Sequence, residues 1–300
     1  MRFGIQLPTF GPTAGRDLLG QCARLCEQLG YDSIWANDHV LVPKRLDPPY
    51  GYIFECLTTL SFVAAVTERV RIGTSVLIVP QREPVLAAKQ VATLDVLSGG
   101  RVICGVGTGY VDDEFRFLGA DTRHRGARLD ACLGVMRGLW SGDASGLPTE
   151  WASLTEGRFG PLPPQGSRLP IWIAGNSDRA IERAARVGDA WHPAGVSPDE
   201  LAAGVRKLGL IVGDRPVEIA LKVRAGLAEV TGRPDDQRSP TEVNHAYELY
   251  GRVPEVIAAL RAFEMLGVGY VVMFMFHRTA DELRQSLETF AELVMPHFTV

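Results

Sequence analysis

Short apolar runs rich in β-branched residues, bounded by Gly, Pro or Asp, alternate with longer stretches in which apolar residues recur every three or four positions. The first pattern is that of a buried parallel strand and the second that of a helix with one apolar face. Eight such pairs can be read. The predicted strands are Arg2–Leu7, Ser33–Ala36, Val70–Ile78, Arg101–Val106, Pro170–Ala174, Asp189–His192, Val217–Val223 and Gly269–Phe274. The helices that follow them are Arg16–Leu29, Glu55–Thr67, Pro84–Leu97, Arg125–Trp140, Asp178–Val187, Pro198–Val212, Pro254–Leu266 and Ala280–Val294. In the first helix Leu18, Leu19, Cys22, Leu25, Cys26 and Leu29 make one stripe, and Gly30 stands where a left-handed residue ends it.

Eight strand-helix repeats predict an α/β protein built as a (β/α)8 barrel, and 300 residues suit one such domain with insertions. The competing doubly wound sheet uses fewer strands and a phosphate loop after the first, whereas Pro8-Thr9-Phe10-Gly11-Pro12 is no such loop. The rhythm breaks at 142–169 and at 224–251, the second containing the polar run Gly232–Ser239. Both read as insertions, expected to wall or cover a pocket at the working face of the barrel.

Composition narrows the function. With 46% hydrophobic and 22% charged residues the chain has ample material for a core, and its net charge of -4 supplies no positive field for nucleic acid or anionic lipid. Uncharged stretches such as Cys56–Thr67 and Met265–Phe276 run 12 residues, below what a membrane span needs. Pro8 and Gly11 interrupt the N-terminal apolar run before a signal peptide could form. Five scattered cysteines read as reduced thiols, so a cytoplasmic protein is expected. No His-Glu-x-x-His or Cys-x-x-Cys spacing occurs, and no metal site is expected.

Candidate chemistry gathers at predicted strand ends. Trp35-Ala36-Asn37-Asp38-His39 crowds an amide, a carboxylate and an imidazole after the second strand. There His39 could move a proton and Asp38 could orient it or bind the edge of a heterocycle. Gly105-Val106-Gly107-Thr108-Gly109-Tyr110 ends the fourth strand in glycines that would let a phosphate approach backbone N–H groups. Its glycines run at every second position, which is not the dinucleotide fingerprint. Ala174-Gly175-Asn176-Ser177 opens a helix with Ser177 as N-cap, a place that also suits phosphate. His192, beside Trp191 after the sixth strand, falls at the same mouth as His39.

These motifs together resemble the luciferase-like flavin and deazaflavin oxidoreductases, in particular the branch that uses coenzyme F-420. Beyond the stretches above, Arg71-Ile72-Gly73-Thr74-Ser75-Val76-Leu77 is similar to the family's third strand, and Ser98-Gly99-Gly100-Arg101-Val102 to its approach to the fourth. The resemblance implies a cis peptide bond between Ser75 and Val76 behind the cofactor ring. It places Asp38, Ser75, Val76, Thr108, Gly109, Gly175, Asn176 and Ser177 at the cofactor and His39 near the reacting carbon, with Tyr110 and His192 as further candidates for proton transfer. One departure stands out: Tyr110 follows the glycine loop where the family's sugar-phosphate dehydrogenase has a glutamate, so a sugar-phosphate substrate does not follow from the resemblance, and Tyr110 could donate a hydrogen bond or wall the pocket. The implied function is hydride transfer between C5 of coenzyme F-420 and a small organic substrate, in a homodimer. Two alternatives stay open: an FMN-dependent monooxygenase that activates oxygen and is fed by a partner reductase, and a barrel that binds cofactor without catalysis.

Overall fold

In the computed structural model, which describes residues 1–47, 49–147, 149–232 and 248–298, the predicted runs become a closed parallel barrel. Its strands are β1 (Arg2–Gln6), β2 (Ser33–Ala36), β3 (Arg71–Thr74), β4 (Leu77–Ile78), β5 (Val102–Gly107), β6 (Ile171–Ala174), β7 (Ala190–His192), β8 (Glu218–Leu227), β9 (Glu248–Gly251) and β10 (Val268–Met275). The helices are α1 (Arg16–Gln28), α2 (Cys56–Val66), α3 (Pro84–Ser98), α4 (Asp112–Phe117), α5 (Arg125–Ser141), α6 (Asp178–Val187), α7 (Pro198–Val212), α8 (Ala228–Thr231), α9 (Val253–Met265) and α10 (Ala280–Leu293). Because β10 pairs with β8 on one side and β1 on the other, the ring closes through β1, β2, β3, β5, β6, β7, β8 and β10. The expected eight-stranded barrel is thus formed. Among the described residues, no helix is long and apolar enough to cross a membrane.

Three expectations are corrected. The single third strand Val70–Ile78 is broken into β3 and β4 by a cis peptide between Ser75 and Val76, the bond that the resemblance singled out. The insertion at 142–169 does not wall a pocket at the mouth. It connects α5 to the start of β6, and so belongs to the opposite end of the barrel. From there it packs outside the helices, with Leu147 against Gly138 of α5 and the Gly160 carbonyl accepting from Lys89 of α3. The insertion at 224–251 begins later than expected, because Arg224–Leu227 continue β8 and β9 pairs alongside them. Most of its polar run, 233–239, lies outside the described residues.

Alternation along the strands makes two cores. Ile34 and Ala36, Leu221 and Val223, and Val271 and Met273 face outward into a large layer shared with the helices. Trp35, Ile103, Trp172, Ala190, Ala220, Tyr270 and Val272 face inward and fill the barrel. Trp35 and Trp172 lie 4.7 Å apart between ring centroids, and Tyr270 meets Trp172 edge-on at 4.9 Å. Such large rings need small neighbours. A Cβ on Gly73 would lie 2.1 Å from Trp35 Cε3, which is why β3 carries glycine opposite this indole. Trp35, placed by sequence among the chemical groups at the strand end, is therefore the plug beneath them. Trp191 points outward, against Gly204 of α7, while its neighbour His192 points in.

Candidate active site

Above the aromatic plug the C-terminal ends of the strands enclose a cavity of about 890 Å³. That end is where barrel loops build active sites, and the size suits a cofactor together with a small partner. Asp38, His39, Ser75, Val76, Thr108, Gly109, Tyr110, Gly175, Asn176 and His192 all line it. Ser177 does not; its hydroxyl accepts from the Ala180 N–H as the N-cap of α6.

His39 follows β2, and its Nδ1 lies 2.8 Å from Oε2 of Glu114 in α4. The other oxygen of Glu114 accepts the Val40 N–H at 2.8 Å, so one buried carboxylate holds both the ring and its backbone. With that carboxylate accepting, Nδ1 carries a proton, and Nε2 has no partner among the described residues. Tyr50 lies 4.8 Å from the ring and Tyr110 meets it edge-on at 6.0 Å. The Tyr110 phenol is raised by burial and by nearby Tyr50 and Glu114. The residue is 49% exposed, and its hydroxyl is neutral at ordinary pH.

Asp38 is committed inside the protein. Its Oδ2 accepts the Ile78 N–H of β4 at 2.8 Å and its Oδ1 accepts from Arg82 at 2.7 Å, tying β2 to the segment after the cis bond. Burial raises the Asp38 carboxyl, against the pull of Arg82, while Arg82, which burial alone would lower, is raised by Asp38. The two hydrogen bonds onto the carboxylate, from the Ile78 N–H and from Arg82, favour the ionised form.

On the floor, His192 Nδ1 donates to the Ala220 carbonyl, an acceptor only, so Nε2 accepts the Ser75 hydroxyl at 3.1 Å. Burial, with Lys222 adding to it, pushes His192 down to about 3. Neutral and bonded at both nitrogens, His192 holds Ser75 rather than carrying a proton at neutral pH, contrary to the catalytic role that its position at the mouth suggested. Lys222 on β8 donates to the Ser75 carbonyl at 2.8 Å and to Asn37 Oδ1 at 3.2 Å, and Gln6 donates to that same amide oxygen. Burial pushes the Lys222 ammonium down to about 8 although the residue as a whole is half-buried.

Across the cavity, the glycine-rich ends of β5 and β6 offer backbone donors. The N–H groups of Thr108, Gly109 and Asn176 have no acceptor among the described residues. Gly109 takes a φ of 75°, and a Cβ there would meet Ile78 and Phe115 at 2.8 Å, so only glycine fits between the cavity and the packed wall behind it.

Sequence reasoning missed Glu114, Lys222, Arg82 and Gln6. Lys222 carried a readable signal, since Ala220, Lys222 and Arg224 alternate with the apolar Leu221 and Val223, putting charge on the barrel-facing side of the strand. Glu114 had none, because it lies 75 residues from His39.

The profile of the luciferase-like monooxygenase family matches residues 1–212. An F-420-dependent glucose-6-phosphate dehydrogenase of Amycolatopsis mediterranei is 35% identical over 186 residues, covering 61% of this chain and 53% of that one. A 4-hydroxyprotoasukamycin monooxygenase of Streptomyces nodosus subsp. asukaensis is 26% identical over 96% of this chain and 88% of its own. The crystal structure of monooxygenase RslO1 from Streptomyces bottropensis superposes with a TM-score of 0.80 at 23% identity over 100% of both chains, a likeness of fold. Relatives matched at 34–35% identity are spanned over 51–66% of their length.

Proposed function

Because the chain belongs to the luciferase-like monooxygenase family, we propose that it is an oxidoreductase that moves a hydride between C5 of bound coenzyme F-420 and a small organic substrate. The observation that carries this reading is the placement of a carboxylate-held imidazole, with its free Nε2, on the wall of a cavity large enough for both molecules. The residues present suit a phosphorylated ring cofactor. The N–H groups of Thr108 and Gly109 after β5 and of Asn176 before α6, with no acceptor among the described residues, would hold its phosphate. The flat stretch at Ser75 and Val76, pinned by Lys222 and His192, would back its ring.

The coenzyme, when bound, supplies the hydride acceptor or donor. The protein supplies the rest. His39 Nε2 takes up or returns the proton that accompanies hydride transfer at a hydroxyl or carbonyl, and Glu114 keeps the ring in the tautomer that allows it. Tyr50 and Tyr110 pack against that ring and hold it in the cavity wall. The deazaflavin is preferred over FMN because the curated relatives at 34–35% identity that carry an activity name are called F-420-dependent. Titrating the protein separately with coenzyme F-420 and FMN, followed by fluorescence quenching, tests this. Micromolar binding of F-420 with weaker binding of FMN is expected. Preference for FMN would overturn the cofactor assignment and favour oxygen activation with a partner reductase, and binding of neither would remove the reading.

A further inference from the structure

The cavity has two unlike halves. Toward β5 and β6 it is glycine-rich and offers backbone donors, and under the reading above, on which this inference rests, the coenzyme fills that side. Toward β1, β8 and β10 it is aromatic and cationic. We propose that this second half binds a planar aromatic substrate bearing an anionic oxygen, anchored by the Lys222 ammonium.

The aromatic part is a continuous wall. Phe274 at the end of β10 stacks on Phe10 at 5.3 Å and 17°, Phe10 meets Tyr50 at 5.0 Å, and Tyr50 meets the His39 ring at 4.8 Å. A flat ring laid along it finds stacking partners over its whole length and ends beside the nitrogen assigned to proton transfer. The anionic part follows from charge accounting. Lys222 makes two hydrogen bonds, both to neutral oxygens, and no carboxylate pairs with it among the described residues. An ammonium has three donors, so one remains, and a cation at the floor of a cavity without a counter-charge is most stable when a ligand brings one. Two positions along the same strand face, Arg224 adds a second cation, paired with Glu248 at 3.2 Å and lying against the Phe276 ring. Both residues belong to β8 and line the cavity.

Calorimetric titration with 2-naphthoate and 2-naphthamide, matched in shape and differing in charge, tests the proposal on protein saturated with whichever cofactor it binds. The carboxylate is expected to bind at least about tenfold more tightly than the amide, the scale of one charged hydrogen bond. Lys222→Met should remove that preference and Lys222→Arg should retain it, while Phe10→Ala should weaken both probes alike. Equal binding of the two probes by the natural protein would overturn the proposal. So would a Lys222→Met protein that keeps the preference but loses cofactor affinity, since that result assigns the ammonium to the cofactor. Cofactor titration of the same samples separates the two readings: failure to bind cofactor defeats the oxidoreductase assignment, whereas normal cofactor binding without charge discrimination defeats this one alone.

Discussion

At the scale of single residues, the site depends on which atom each polar group already holds. His39 is usable because Glu114 takes one of its two nitrogens and leaves the other open. His192 is at the same mouth with the same side chain, but both of its nitrogens are spent and burial keeps it neutral. The contrast predicts different outcomes from parallel changes. His39→Ala should lower turnover by about 10²- to 10⁴-fold with cofactor affinity little changed, as expected for a proton-transfer group. Glu114→Gln is expected to lower turnover by about 10²-fold with cofactor affinity little changed, because the ring loses the carboxylate that fixes its tautomer and orientation. Steady-state kinetics with cofactor titration check both, and unchanged turnover in Glu114→Gln would make Glu114 merely structural. Both histidines were visible in the sequence as groups at strand ends. Their difference was not, since it is set by Glu114, Ala220 and Ser75, each far away along the chain.

At the scale of elements, the barrel was legible because each strand and each helix writes its own burial into its hydrophobic period. What was not legible is how neighbouring strands share space. The run Val70–Ile78 reads as one strand by its apolar character, yet it breaks at Ser75, where Lys222 takes the Ser75 carbonyl and Asp38 takes the Ile78 N–H. Gly73, just before the break, shows the packing side of the same constraint. Gly73→Ala would place a methyl 2.1 Å from Trp35, and the strand or the indole must shift. Overpacking of this kind costs about 1 to 3 kcal/mol. Urea denaturation should therefore show a lower midpoint at unchanged slope, and an unchanged midpoint would show that the plug yields freely. The insertion at 142–169 teaches the complementary lesson. Its Gly and Pro content marks a break in rhythm correctly, but only its connection, from α5 into β6, shows that it lies away from the cavity.

At the scale of the whole molecule, burial of His192 couples the site to stability. Its folded value of about 3 lies below the ordinary 6.5, so the unfolded chain binds a proton that the folded protein refuses between those values. The contribution is fully present above pH 6.5 and is lost as pH falls toward 3, at no more than about 1.4 kcal/mol per pH unit. Urea midpoints from pH 7 to pH 4 should fall more steeply for the natural protein than for His192→Asn, and parallel slopes would remove His192 as the cause. Order along the chain was enough to determine the eight-fold alternation, the closure into one barrel and the end at which chemistry collects, because these follow from hydrophobic period and from the direction of parallel strands. The working pairs were decided by tertiary structure alone: Asp38 with Arg82, His39 with Glu114, His192 with Ser75, and Lys222 with no counter-charge among the described residues. The physical reason is range. Periodicity is a property of neighbours in sequence, whereas a hydrogen bond or a missing ion pair is set over about 3 Å by groups that only the closing of the barrel brings together.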